Sequence, residues 1–167
     1  NLKKNTSSLT KTNSVMMTTV LIIAIPLLTI GIIGQRKIHI KRELTINKSI
    51  DEVWEVLGKQ FGEVHLWSSN FKDSKPGGDK QFEGINYSYR ATETGRGETI
   101  QLLDAFESNN YRLAYHITKG MPGVAMSASG AWCLKPLKNN QTTVVLEFDM
   151  EVKNILGYLL APILKLK

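Results

Sequence analysis

Cysteine is almost absent from this chain: Cys133 is the only one in 167 residues, so no internal disulfide can form. The redox compartment therefore cannot be read from cysteine pairing. Flanked by Trp132 and Leu134 in a strand-like run, Cys133 reads as a small strand side chain. Histidine is scarce too. His39, His65 and His116 lie far apart, and no CxxC or HxxxH spacing accompanies them, so neither a metal site nor a cofactor is expected. Acidic residues are missing from the first 34 positions, while the rest of the chain carries 15 acidic and 18 basic residues, a net of only +3. Those basic residues alternate with acids or fall in turns instead of forming a stripe with interleaved aromatics, which argues against a nucleic-acid partner.

Residues 15–34, VMMTTVLIIAIPLLTIGIIG, are twenty consecutive residues without a charge. A hydrocarbon core of about 30 Å needs roughly 20 apolar residues at about 1.5 Å each, and this run is that long. Pro26 in its middle is tolerated in a transmembrane helix, where neighbouring groups re-satisfy the freed carbonyl. Lys3, Lys4 and Lys11 ahead of it would suit a signal peptide, but the run exceeds an h-region of about 7–15 residues and no A-x-A-like site follows. The expectation is a basic tail at 1–14, an uncleaved transmembrane helix at 15–34 and one folded domain at 35–167. Arg36, Lys37, Lys41, Arg42 and Lys48 follow closely, so the positive-inside count leans toward a cytoplasmic domain on a single-pass membrane protein. The basic flanks would also favour anionic headgroups. The chain opens on Asn1 rather than methionine, which leaves open an upstream extension and an incomplete charge count.

The remaining stretch of about 130 residues suffices for one core and is too short for two. Residues 37–46 alternate, with Ile38, Ile40, Leu44 and Ile46 opposed to Lys37, His39, Lys41 and Glu43, predicting a half-buried strand. Ser49 followed by Glu52 is a capping-box spacing that starts a short helix through Val53, Trp54, Val56 and Leu57. Gly58 and Gly62 interrupt it and predict a second short helix over 61–67. Turn signals then separate strands expected near 71–75, 82–92, 98–107, 112–119, 125–136 and 142–153. Two alternate cleanly: Leu113, Tyr115 and Ile117 oppose Arg112 and His116, and Val144, Leu146, Phe148, Met150 and Val152 oppose Glu147, Asp149 and Glu151. Strand 98–107 has no clear facing, because Ile100 and Leu102 share parity with Glu98 and Asp104. The end of the chain, 154–167, repeats Ile155, Leu156, Leu159, Leu160, Ile163 and Leu164 at helical spacing, and its broad apolar face suits the dry side of a curved antiparallel sheet.

Strand, two short helices, six strands and a terminal helix is an α+β order, that of the helix-grip fold. Particular residues strengthen the likeness: INKSIDEVWEVL at 46–57, FGEVHLW at 61–67, Phe106-Glu107 with YRLAYHI at 111–117, and Met121-Pro122 after that strand. Through these residues the chain resembles the polyketide cyclase/dehydrase and lipid-transport family of the START-related SRPBCC superfamily, over about 36–167. Two departures stand out. Gln101-Leu102-Leu103-Asp104 replaces a run in which relatives often carry an acid at the first position, and thirteen residues of terminal helix, roughly 20 Å, are short for the family, so the chain is truncated or its grip incomplete.

The resemblance implies a curved sheet of about seven strands around the terminal helix, enclosing a cavity for a hydrophobic small molecule or lipid. The candidate lining is Tyr87, Tyr89, Gln101, Tyr115, Met126, Trp132 and Phe148, with His65 and Trp67 near a mouth. Small residues Ala125, Ser127, Ala128, Ser129 and Gly130 leave volume that neighbours or a ligand must fill. The competing reading is a cyclase or dehydratase, which needs an acid or base in the pocket. His65 is the one serious candidate. It lacks a tuning neighbour, so no catalytic residue is assigned and a binding module is favoured. A third reading is an interaction module with a filled core, including a homodimer paired through the apolar face of 155–164.

Overall fold

The computed structural model describes residues 37–153. The basic tail, the apolar run 15–34 and the terminal helix expected over 154–167 lie outside the described residues. Among those described, no helix is long and apolar enough to cross a membrane.

The described residues begin in β1 (Lys37–Ile46), whose alternation places Ile38 and Ile40 inward and His39 and Lys41 outward. After β1 the backbone enters α1 (Ile50–Trp54) through the capping box that the sequence announces. The Glu52 amide donates to Ser49 Oγ at 3.3 Å, and the Ser49 amide donates back to Glu52 Oε2 at 3.0 Å, which satisfies two donors at the helix start. Lys48 lies 2.9 Å from Glu52, and this pairing, with the Ser49 amide, holds the exposed carboxyl down to about 2. The helix continues as a π-helical turn, Glu55–Lys59, and then a 3-10 segment, Phe61–Leu66. At Gly58 a Cβ would come within 2.5 Å of the Trp54 indole. The glycine thus lets the widened turn pack its backbone against that ring.

Six further strands follow: β2 (Asp73–Gly77), β3 (Tyr89–Thr94), β4 (Gly97–Glu107), β5 (Arg112–Lys119), β6 (Ala125–Leu137) and β7 (Gln141–Val152). They form one seven-stranded sheet in the order β1-β7-β6-β5-β4-β3-β2, antiparallel at every pairing. Successive hairpins build it from β2 to β7, and β1 closes on β7 from Lys37 opposite Glu151 to Ile46 opposite Thr142. Register shifts in β4, between Ile100 and Gln101 and between Leu103 and Ala105, bend the sheet. They also explain the unreadable periodicity of that strand. Gln101, Leu103 and Phe106 are all buried, although no single alternation joins them.

Two expected strands shift. The stretch 82–92 pairs only from Tyr89 onward: Ile85 is buried in the main cluster, and Phe82 and Tyr87 pack against it, so their apolarity serves a loop. β2 runs past the expected end at 75 through Pro76 and Gly77, residue types that ordinarily mark a turn. It is an edge strand, and an edge tolerates a residue without an amide donor.

The dry face carries two clusters. One gathers Val53, Trp54, Phe61, Leu103, Phe106, Leu113, Trp132, Leu134 and Val144 beneath the helical segment. The other joins Ile38, Ala125, Ala128, Met150 and Val152. The outer face is wet and paired, with His39 to Asp149 at 2.8 Å, His116 to Asp104 at 2.7 Å and Lys119 to Glu98 at 2.6 Å.

Candidate functional site

Between the helical segment and the concave side of β1, β7, β6 and β5 lies a cavity of about 430 Å³. Ile40, Leu44 and Ile46 of β1 and Val144, Leu146 and Phe148 of β7 form one wall, with Leu57, Val64, Trp67 and Phe71 from the helical side. Tyr115 and Trp132 form the inner end. Such a lining offers shape and apolar contact and very few polar groups.

The end wall is an aromatic box around one cation. Tyr115 and Gly130 face each other across β5 and β6, with Phe148 on the far side of Gly130. A Cβ at Gly130 would lie 2.6 Å from the Tyr115 ring, so the glycine leaves the slot that the phenol occupies. Trp132 meets Trp67 at 5.7 Å and Phe61 at 6.0 Å between ring centroids, both edge-on. Within the box sits Arg90, 2% exposed, with its guanidinium 3.8 Å above the Phe61 ring. Its Nε and Nη2 donate to Gln101 Oε1 at 2.9 and 2.7 Å, and its Nη1 donates to the Phe61 carbonyl at 2.8 Å. Gln101 continues to Thr99 Oγ1 at 3.4 Å, which lies 2.6 Å from Thr92 Oγ1, so a polar chain runs behind the apolar wall. Burial pushes the guanidinium down to about 10, with Tyr115 and Tyr87 opposing that shift, so it is charged at neutral pH. Burial likewise raises the Tyr115 phenol, against the pull of Arg90.

Of the residues proposed from sequence, Trp67, Tyr115, Trp132 and Phe148 line the cavity together, and Gln101 stands directly behind it holding Arg90. The others lie elsewhere. His65 turns to Ser74, its amide donating at 3.1 Å and its Nδ1 lying 2.7 Å from the hydroxyl. Tyr87 fastens the helical segment, donating to the Lys59 carbonyl at 2.9 Å and accepting from the Gly62 amide at 3.0 Å. Tyr89 lies over the backbone of Gly77 on the neighbouring edge strand. Met126, at 55% exposure, points away from the sheet where β6 bulges between Ala125 and Ser127.

Arg90 is the residue that sequence reasoning overlooked, because its aromatic neighbours Tyr87 and Tyr89 drew the dry face onto the wrong parity. Ser88, Arg90 and Thr92 are the buried set. The signal available was the pairing of Arg90 with Gln101 across the β3–β4 hairpin. Among the described residues no group of His, Cys, Asp and Glu side chains is arranged to hold a metal ion.

A seven-stranded antiparallel sheet curved around an apolar cavity, with short helices inserted after its first strand, defines the helix-grip class. Residues 37–165 match the family described as polyketide cyclase / dehydrase and lipid transport, and the chain belongs to that family. No curated protein matches it. Among solved structures it is similar to a START superfamily protein from Mycobacterium smegmatis, with 12% identity, a TM-score of 0.57 and coverage of 76% of this chain and 89% of that one. It is also similar to the Zhui aromatase/cyclase from Streptomyces sp. R1128 (19%, TM-score 0.57, coverage 71% and 70%). A third likeness is to major latex-like protein 151 from Panax ginseng (14%, TM-score 0.57, coverage 79% and 96%). At these identities the likeness is one of fold.

Proposed function

We propose that this chain is a membrane-anchored binding module that holds a hydrophobic small molecule or lipid in the cavity between the sheet and its helical segments. The observation that carries the reading is the cavity of about 430 Å³, walled by aliphatic and aromatic side chains and of a size suited to small ligands. The titratable groups that would serve as general bases are engaged elsewhere: His65 with Ser74, His39 with Asp149 and His116 with Asp104.

The enzyme reading has one observation in its favour. Tyr115 lines the cavity beside a buried guanidinium, and a phenol kept protonated by burial is a candidate acid. It has no base to work with among the cavity-lining residues: Glu147, which borders the cavity, turns its carboxylate to the outer face, 3.9 Å from Lys41 Nζ.

The test uses the tryptophans. Trp67 and Trp132 line the cavity, whereas Trp54 is packed against Phe106 and Tyr111. A brominated long-chain alcohol added to the full chain in lipid nanodiscs should quench Trp67 and Trp132 saturably. A W67F/W132F chain, retaining Trp54, should show little quenching. Equal quenching in both chains contradicts a ligand in this cavity.

Membrane anchorage rests on the uncharged run 15–34, and the cytoplasmic side on the basic residues that follow it. Alkaline carbonate washing should leave the protein in the pellet. Recovery of a soluble product beginning near Gln35 would instead mark a cleaved signal, and compartment-specific reporters fused to the C-terminus decide the side.

A further inference from the structure

Of the two arginines that line the cavity, Arg42 and Arg90, the buried Arg90 has no carboxylate partner among the described residues. Arg90 reaches the cavity wall from β3, yet its hydrogen-bond partners are all uncharged, an amide oxygen, a backbone carbonyl and the Tyr115 hydroxyl, and the rings of Phe61, Phe71, Tyr115 and Trp132 surround its guanidinium at 3.8 to 5.8 Å. None of the ion pairs among the described residues involves it. A buried cation is ordinarily paired, since neutral acceptors and ring faces offset only part of its lost hydration. The cross-strand position that could supply a carboxylate holds Gln101, which accepts two N–H bonds and leaves the positive charge standing.

We propose that the ligand of this cavity is an amphiphile ending in a carboxylate, seated on the Arg90 guanidinium beside the Tyr115 hydroxyl with its apolar body along Leu146, Phe148 and Ile40. This rests on the reading of the cavity as a ligand site and adds the chemistry of the ligand's polar end. The number of free donors selects that chemistry. Three of the five guanidinium N–H groups are committed to Gln101 and Phe61, and what remains, shared with the Tyr115 hydroxyl, suits a small, planar, singly charged acceptor that takes one bond from each residue. A phosphate would bring a second charge and a third oxygen to an end wall of Trp132, Phe71 and Val64 that holds no second cation beside Arg90, Arg42 standing on the β1 wall. A neutral lipid would leave the cation as it stands.

The experiment compares decanoate, decan-1-ol and decyl phosphate on the full chain in nanodiscs at about pH 7.5, corrected for partition into empty discs, where the carboxylate is ionised. Decanoate should bind about tenfold or more tighter than decan-1-ol, the ratio expected for hydrogen bonds to a charged partner. Gln101→Glu, nearly isosteric, supplies an internal carboxylate to Arg90 and should bring that ratio to about one. Because it keeps the packing, it avoids the misfolding that truncating Arg90 would invite. Equal binding of acid and alcohol by the unaltered chain, or an undiminished preference in Gln101→Glu, overturns the proposal while leaving the cavity reading intact. Tighter binding of decyl phosphate than of decanoate overturns the carboxylate assignment. Failure of all three probes to bind overturns the cavity reading itself.

Discussion

Gly130→Ala perturbs the floor of the cavity through a single methyl group. The new Cβ would lie 2.6 Å from the Tyr115 Cζ and hydroxyl, against 3.4–4 Å for ordinary contact, so the ring must retreat by about an ångström. It has little room. Phe61 lies 5.4 Å from it and Trp132 6.4 Å between centroids, and the Arg90 guanidinium sits 5.5 Å from its face. Overpacking of this kind costs about 1–3 kcal/mol, and the reduced backbone freedom of alanine returns about 0.4–1 kcal/mol. The net expectation is a loss of about 1–2 kcal/mol, read from denaturation followed by tryptophan fluorescence. Ligand affinity should fall as well, because the ring's remaining path leads into the cavity. In a Tyr115→Leu background the same substitution should cost nothing or stabilise slightly, since the clash is with the ring's far end. A stabilised Gly130→Ala protein with unchanged affinity would refute the placement of Tyr115.

Trp132→Ala should destabilise by about 3–5 kcal/mol, as for a packed aromatic, because Trp132 is 8% exposed and meets three other rings, so it is both core and cavity wall. A loss well below that range in a denaturation curve would show that the ring is loosely held. The carboxyls of Glu52, Asp73 and Glu107 are lowered in the folded state, Glu52 to about 2 from 4.5. Their contribution is therefore present above the unfolded-state value and lost as pH falls from about 4.5 toward 2. Thermal midpoints measured across that window should drop, and less steeply in Glu52→Gln; an identical slope in the variant would contradict the cap. His65→Gln should leave probe affinity within a few fold, since His65 turns to Ser74, and a loss of two orders of magnitude would place it in the site.

Most of the sheet was legible because its strands obey one rule along their length. β1, β5 and β7 alternate over most of their length, and their wet and dry faces are those that the alternation indicates, with Arg42 on the dry parity of β1 and the buried Val145 on the wet parity of β7 as exceptions. β4 was not, because two register shifts within one strand break the parity on which such reading depends. The loop before β3 misled for another reason: Ile85 and Tyr87 are apolar to hold the helical segment, one by burial and the other by its hydroxyl. The same local fact governs the site. Tyr115, Trp132 and Phe148 line the cavity because a large aromatic on the dry face of a strand usually faces inward, Trp67 because it closes the helical segment, and Tyr89 and Met126 do not because an edge-strand glycine and a bulge redirect them. Arg90 was missed because a charged residue in an alternating strand reads as solvated. Its burial depends on Gln101 and on ring faces that only the folded sheet assembles.

The most direct test of the account is to locate a bound ligand by intermolecular nuclear Overhauser effects, using the full chain, methyl-labelled at Ile, Leu and Val, in deuterated nanodiscs with protonated decanoate. Cross-peaks are predicted to Leu146, Val144, Leu57 and Ile40, which line the cavity, and not to Leu66 or Leu137, which are exposed outside it at 63% and 46%. Cross-peaks confined to the two exposed leucines, or absent from all six residues at saturating decanoate, would contradict a ligand held between the sheet and its helical segments.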